Sequence, residues 1–172
     1  MTTRLPRVES LYLRPQTESD REFLAALYAS TRADELAVLP WTPQQKAEFL
    51  HSQFEAQNYH YALHYGDADF LVLERGGERI GRLYLHRAGD DLCVIDIALL
   101  PEHRGAGLGT ALMHEVLAIA VDENRSVSLH VEIDNPVQRL YAKLGFVWQG
   151  RYGVYDFMVW RAPASAQVKM AS

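Results

Sequence analysis

Residues 96–120 read DIALLPEHRGAGLGTALMHEVLAIA, and this stretch decides the fold. The apolar run of Ile95, Ile97, Leu99 and Leu100 predicts a buried strand that ends at Pro101, which cannot donate to a ladder. Arg104-Gly105-Ala106-Gly107-Leu108-Gly109 follows, and then Leu108, Leu112, Val116 and Ile119 recur at helical spacing. Strand, glycine-rich turn and helix together make an anion site. The glycines let backbone N–H groups turn toward a ligand, and the helix N-terminus adds partial positive charge. The guest this geometry suits is a phosphate or pyrophosphate, held by Arg104 and the amides of Gly105, Ala106, Gly107, Leu108, Gly109 and Thr110. Two other phosphate motifs are excluded. GxxxxGK(S/T) needs a Lys that is absent before Thr110, and the third glycine of GxGxxG would fall on Thr110.

The segment resembles the (R/Q)-x-x-G-x-(G/A) signature of the GNAT N-acetyltransferase superfamily, with Arg104, Gly107 and Gly109 in register. A second stretch, NPVQRLYAKLGF over residues 135–146, resembles the same family's N-x-x-A-x-x-L-Y-x-x-x-G-F. It departs at Gln138, where the family often has Ala. With the flanking strands the resemblance covers Leu11 to Trp160. It implies a sheet whose two central parallel strands splay apart, with acetyl-CoA in the gap. It further implies contacts to the coenzyme from the backbone of Ala98, Leu99 and Leu100 and from Asn135, and a Tyr141 hydroxyl facing the sulfur. Asn135 also reads as part of a turn and N-cap cluster with Asp134 and Pro136. Tyr141 also reads as one more apolar-face residue beside Leu140 and Leu144.

Acetyl transfer to an amine needs a held thioester, a neutral amine, an oxyanion donor and a proton for the departing thiolate. A phenol such as Tyr141 can serve as the general acid. Two carboxylates are candidate bases: Asp96, inside the strand that lines the expected cleft, and Glu132, at the end of the neighbouring parallel strand. Both also read as ion-pair partners or exposed strand residues. Asp34, Glu35 and Trp41 lie where the resemblance puts the acceptor pocket. The acceptor class is a small-molecule or peptide amine. A CoA-binding domain of the same fold that transfers nothing is the alternative, and a retained Tyr141 favours the enzyme.

The 172 residues suffice for one domain with a real core, and 48% hydrophobic with 23% charged is ordinary for a globular chain. A net charge of −5 argues against nucleic acid. The seven His and one Cys form no metal-ligand spacing, since His60 and His64 lie outside any HExxH frame, and no metal is expected. Cys93 sits in an apolar run and reads as a buried inert thiol. His103 reads as water-facing at the mouth of the phosphate turn. No span of membrane length and no signal segment stands out, so the expected location is cytoplasmic. The resemblance adds a possible homodimer.

In chain order, residues 1–10 read as an arm and 11–161 as the acetyltransferase domain. The rest, 162–172, is a flexible tail. Leu11–Arg14 is a short strand, Thr17 caps a first helix whose apolar face is Phe23, Leu24, Leu27 and Tyr28, and residues 30–35 are a polar connection. Thr42 with Pro43 and Gln45 opens a second helix, running to about Gln57 and burying Ala47, Leu50 and Phe54. A three-strand antiparallel meander over residues 70–100 leads into the glycine turn and its helix. Ser126–Ile133 is a strand parallel to its predecessor. A motif helix capped by Gly145 and a hairpin around Gly153 complete an α+β domain, one mixed sheet flanked by helices.

Overall fold

Alternating apolar residues build the meander as read. In the computed structural model, which describes residues 3–167, the strands are β1 (Tyr12–Pro15), β2 (Asp69–Arg75), β3 (Glu78–Ala88), β4 (Asp91–Leu99), β5 (Ser126–Glu132), β6 (Val147–Tyr152) and β7 (Tyr155–Trp160). The helices are α1 (Arg21–Ala37), α2 (Pro43–His64), α3 (Leu108–Asp122), α4 (Gln138–Leu144) and a final turn, α5 (Ala164–Gln167). Residues 1–2 of the expected arm and 168–172 of the expected tail lie outside the described residues. The strands form one sheet in the order β1-β2-β3-β4-β5-β7-β6. Only β4 and β5 run parallel; every other pair is antiparallel.

The two faces of the sheet carry separate helix layers. Leu73 packs into a core with Leu112, Met113, Val116 and Ile119 of α3 and Tyr141 of α4. Its neighbour Val72 packs instead with Leu24 and Tyr28 of α1 and Phe54 of α2. Successive strand residues face opposite ways, so α3 and α4 cover one face and α1 and α2 the other.

What positions the site is a break in the sheet. The β4–β5 ladder runs from Asp91↔Ser126 to Val94↔Leu129 and stops there. Beyond it β4 stays with β3 as far as Gly81↔Leu99, and β5 stays with β7 as far as Glu132↔Tyr155. At the parting point β4 carries a bulge: Tyr84 faces Asp96 and Leu85 faces Val94, which leaves Ile95 without an opposite residue. A bulge bends its strand and re-aims it. The gap between the strands follows.

Three helix expectations are corrected. The polar connection over 30–35 is helical, because α1 runs to Ala37. Ser30 and Thr31 turn their hydroxyls back onto the carbonyls of Leu27 and Tyr28, each at 2.7 Å, and so sit in the helix without competing with it. Helix α2 opens where expected, with Gln45 N–H on Thr42 Oγ1 at 3.2 Å and Thr42 N–H on Gln45 Oε1 at 2.9 Å, but continues past Gln57 to His64. Phe54 is buried, whereas Ala47 is exposed. Thr17 caps a 3-10 turn, Glu18–Asp20, that leads into α1.

Candidate active site

The gap opens a cleft of about 780 Å³, within the range of small-molecule sites. On the α3 side it is lined by Arg104, Gly105, Gly107, Leu108, Gly109 and Thr110, with Val137 at the N-cap of α4 and Leu140 and Tyr141 within it. On the other side it is lined by Tyr28, Thr31 and Arg32 of α1 and by Gln57 and Tyr61 of α2. Asp96, His130, Glu132 and Tyr155 also contribute. The cleft thus has one mouth for each helix layer.

The glycine turn is built as its sequence demands. Gly105 (φ +75°) and Gly107 (φ +82°) adopt the left-handed region, which side chains avoid. Gly107 is the N-cap of α3, whose first intrahelical bond is Ala111 N–H to Gly107 O at 3.0 Å. The amides of Leu108, Gly109 and Thr110 therefore have no helical acceptor and sit at the positive end of a fifteen-residue helix. The Arg104 guanidinium spans the same mouth, its Nε donating to Leu99 O at 2.9 Å and its Nη2 to Ser30 Oγ at 3.2 Å.

The expected backbone contacts divide by strand alternation. Leu100 donates its N–H to Ile80 O at 2.8 Å, so its peptide, and that of Ala98 two residues back, faces β3. The groups on the open edge belong to Ile97 and Leu99. Ala98 and Leu99 line the cleft; Leu100 and Ala106 do not. Asn135 lines it too, while its Oδ1 accepts from Val137 N–H at 3.0 Å, the turn role that its sequence also allowed.

Asp96 is an ion-pair partner. Its Oδ2 accepts from Arg82 Nε at 2.6 Å and from Arg82 Nη2, while Oδ1 has no hydrogen bond among the described residues. Arg82 is buried over the Tyr84 ring, 4.8 Å from its centroid, and also donates to Gln57 Oε1 at 2.9 Å. Among the described residues its Nη1 is the one buried side-chain polar atom without a partner. Burial is the largest influence and works against the Arg82 cation, but the charge and hydrogen bond of Asp96, with the Tyr84 and Tyr61 phenols, together outweigh it and raise the guanidinium above its ordinary value. Glu132 stands at the rim, 44% exposed and 3.8 Å from Arg32 Nη1.

Tyr141 is buried, packs on Phe146 with ring centroids 5.6 Å apart, and its hydroxyl makes no hydrogen bond among the described residues. The ring is buried, but Tyr141 lines the cleft and its hydroxyl is not among the buried polar atoms left without a partner. Burial, and next the negative charge of Asp96, push the phenol up to about 12. Tyr61 is pushed up by the same two causes, and burial holds His130 below the usual histidine range.

Several lining residues escaped the sequence reading: Arg32, Gln57, Tyr61, Arg82 and Tyr155 belong to no motif. The departure at Gln138 has a structural explanation. Its Nε2 donates to the carbonyls of Glu132 (3.0 Å) and Ile133 (3.1 Å) and to Asp156 Oδ2 (3.1 Å), clasping the end of β5 to β7. Asp34, Glu35 and Trp41 do not line the cleft; Trp41 stacks on Phe49 at 5.2 Å. His103 is half-buried in a short 3-10 turn outside the lining. Among the described residues no three His, Cys, Asp or Glu cluster as metal ligands, and no helix is long and apolar enough to cross a membrane.

A mixed sheet split at its parallel pair, with a helix N-terminus at one mouth, is the architecture of the GNAT fold. The acetyltransferase (GNAT) family model matches residues 30–146, and the chain belongs to that family. A Mycobacterium tuberculosis protein known only as an uncharacterised N-acetyltransferase is 34% identical over 136 residues, covering 77% of this chain and 86% of its own. A Bacillus subtilis protein, provisionally named a ribosomal protein bS18-alanine N-acetyltransferase, is 33% identical over 108 residues, 62% of this chain. That match spans 64% of the Bacillus protein's length. The fold is shared with the PaiA N-acetyltransferase of Thermoplasma acidophilum, solved with coenzyme A. The TM-score is 0.68 at 18% identity, over 89% of this chain and 99% of that one.

Proposed function

We propose that the protein transfers the acetyl group of acetyl-CoA to a primary amine by direct attack. The observation that carries this is the split sheet, whose open β4 edge joins the α3 N-terminus on one face to Asp96 and Glu132 on the other. The coenzyme is a co-substrate, and the residues present fit it. Free amides of Leu108, Gly109 and Thr110 with Arg104 suit a pyrophosphate, and the open edge at Ile97 and Leu99 suits an amide-bearing chain.

The neutral amine forms a C–N bond to the thioester carbonyl carbon, an N–H on the β4 edge stabilises the oxyanion, and the C–S bond breaks. The proton lost by the amine goes to Asp96 Oδ1 or Glu132, directly or through water. Tyr141 donates its O–H to the departing thiolate, and the proton is replaced from solvent. A cytoplasmic setting, where a thiol such as Cys93 stays reduced, belongs to the same reading. So does a homodimer, for which the outer strand β6 offers an unpaired edge with exposed Val147, Trp148 and Tyr152.

The test is thiol release from acetyl-CoA across a panel of amines. The reading expects release that depends on both substrates and saturates in each. Acetyl-CoA binding without release from any amine would leave only a coenzyme-binding domain and refute the transferase.

A further inference from the structure

The acceptor mouth carries a charge pattern that acetyl transfer to a generic amine leaves unused. Two carboxylates line the cleft, Asp96 and Glu132, and each has an arginine of this chain beside it. Arg82 holds Asp96, and Arg32 stands 3.8 Å from Glu132. Arg104 adds a third cation at the other mouth. Each carboxylate of the lining thus has a cation of this chain beside it.

Arg32 is the unusual member of this set. Its Nη1 is 2.9 Å from Glu35 and 3.8 Å from Glu132, and its guanidinium lies over the Tyr28 ring at 5.7 Å from the centroid. The side chain is 30% exposed. Both carboxylates are met through Nη1 and the Tyr28 hydroxyl is a further hydrogen-bond partner, and a guanidinium with five N–H donors still has donors for a further oxygen. The Arg32–Glu132 spacing is a loose contact, longer than a charge-assisted hydrogen bond of about 2.8 Å. A cation and an anion held so close and so loosely match a ligand that carries an oxygen acceptor and an ammonium side by side.

We propose that the acceptor is an α-amine, an amine on a carbon that also bears a carbonyl or carboxylate. Arg32 receives the oxygen, and Glu132 draws the ammonium before it loses its proton. This rests on the acetyl-transfer reading and narrows its substrate. The same chemistry is offered by a free α-amino acid and by the amino terminus of a peptide, and it is absent from polyamines and from alkylamines.

The experiment compares alanine, alaninamide, propylamine and spermidine as acceptors at saturating acetyl-CoA. The proposal expects kcat/KM for alanine or alaninamide to exceed that for propylamine and spermidine by about a hundredfold. Alanine ahead identifies the free amino acid, and alaninamide ahead identifies the peptide terminus. Arg32→Gln is expected to raise KM for the preferred α-amine about tenfold while KM for acetyl-CoA stays within about twofold, with Arg32→Lys intermediate. Glu132→Gln, which leaves Arg32 its Glu35 contact, is expected to raise the same KM and serves if the first variant folds poorly. Equal use of spermidine or propylamine overturns the proposal and leaves acetyl transfer standing. So does an Arg32→Gln effect of the same size on every amine. No transfer to any of the four and no binding of acetyl-CoA overturns both.

Discussion

Tyr141→Phe removes one oxygen from the cleft and little else. The hydroxyl makes no hydrogen bond among the described residues, and the ring keeps its packing on Phe146, so stability should move by less than about 0.5 kcal/mol. The rate should move far more, since general acid catalysis is typically worth about 10²–10⁴, or about 3–5 kcal/mol of barrier. A phenol near 12 is a weak acid toward a thiolate of ordinary pKa about 8.5. The burial that raises the phenol also raises a thiol leaving into the same cleft, as it raises Cys93, which is half-buried rather than buried as its apolar run suggested. The proton therefore needs to be shared only as the C–S bond breaks. The assay is single-turnover thiol release with acetyl-CoA affinity measured alongside. The expected outcome is kcat down about a hundredfold or more and coenzyme Kd within about twofold. A loss under about fivefold, or an equal loss in affinity, would refute the general-acid role.

Because the phenol stays protonated up to about pH 12, no falling limb in kcat below about pH 10 should come from Tyr141; a pH-rate series on wild type and Phe variant checks this. Asp20, fully buried, is held far below the usual carboxylate range by Arg14, whose Nη1 and Nη2 donate at 2.8 and 2.9 Å, with help from Thr17 N–H and Arg79. Its folded-state pKa is depressed, so its stabilisation is complete above about pH 4 and is lost as pH falls below that. Asp20→Asn should cost about 3 kcal/mol in urea unfolding at pH 7, with the difference from wild type shrinking in acid. Gln138→Ala takes the side-chain donor from the Ile133 carbonyl, while the Glu132 carbonyl keeps Asn135 N–H and Asp156 keeps Trp148 and Arg151, and it should cost about 1 kcal/mol. By loosening the end of β5 it should raise KM for the amine more than KM for acetyl-CoA. Gly107→Ala forces a side chain to φ +82° where a Cβ would meet nothing, so its cost is conformational, about 1–2 kcal/mol. It should weaken acetyl-CoA binding in calorimetry by re-aiming the α3 amides.

The part of the fold written in local chemistry was legible. Pro101 and the glycines mark a strand's end and a left-handed turn, and Thr42-Pro43-Gln45 marks a helix start; each acts through its own backbone. The α1 end was misread because Ser30 and Thr31 favour turns on propensity, yet inside a helix they return their hydroxyls to the preceding turn. Past Gln57, α2 continues through Asn58, Tyr59 and His60, where Tyr61 stacks at 5.8 Å on Tyr84 of β3. That tertiary contact overrides weak propensity. The coenzyme side of the cleft lies mainly in one contiguous unit, strand, turn and helix, and reads directly from sequence. The acceptor side is assembled from α1, α2, β3, β5 and β7, residues that become neighbours only after folding. Arg32 and Arg82 could not be told from surface arginines before their partners Glu132 and Asp96 were in view.

The most direct test of the account is an amide NMR titration of the whole protein with acetyl-CoA, with NAD and ATP as controls. The account predicts saturable shifts from acetyl-CoA, concentrated at Ile97, Leu99 and Leu108–Thr110. No saturable change at millimolar acetyl-CoA, or shifts confined to other parts of the sheet, would contradict it.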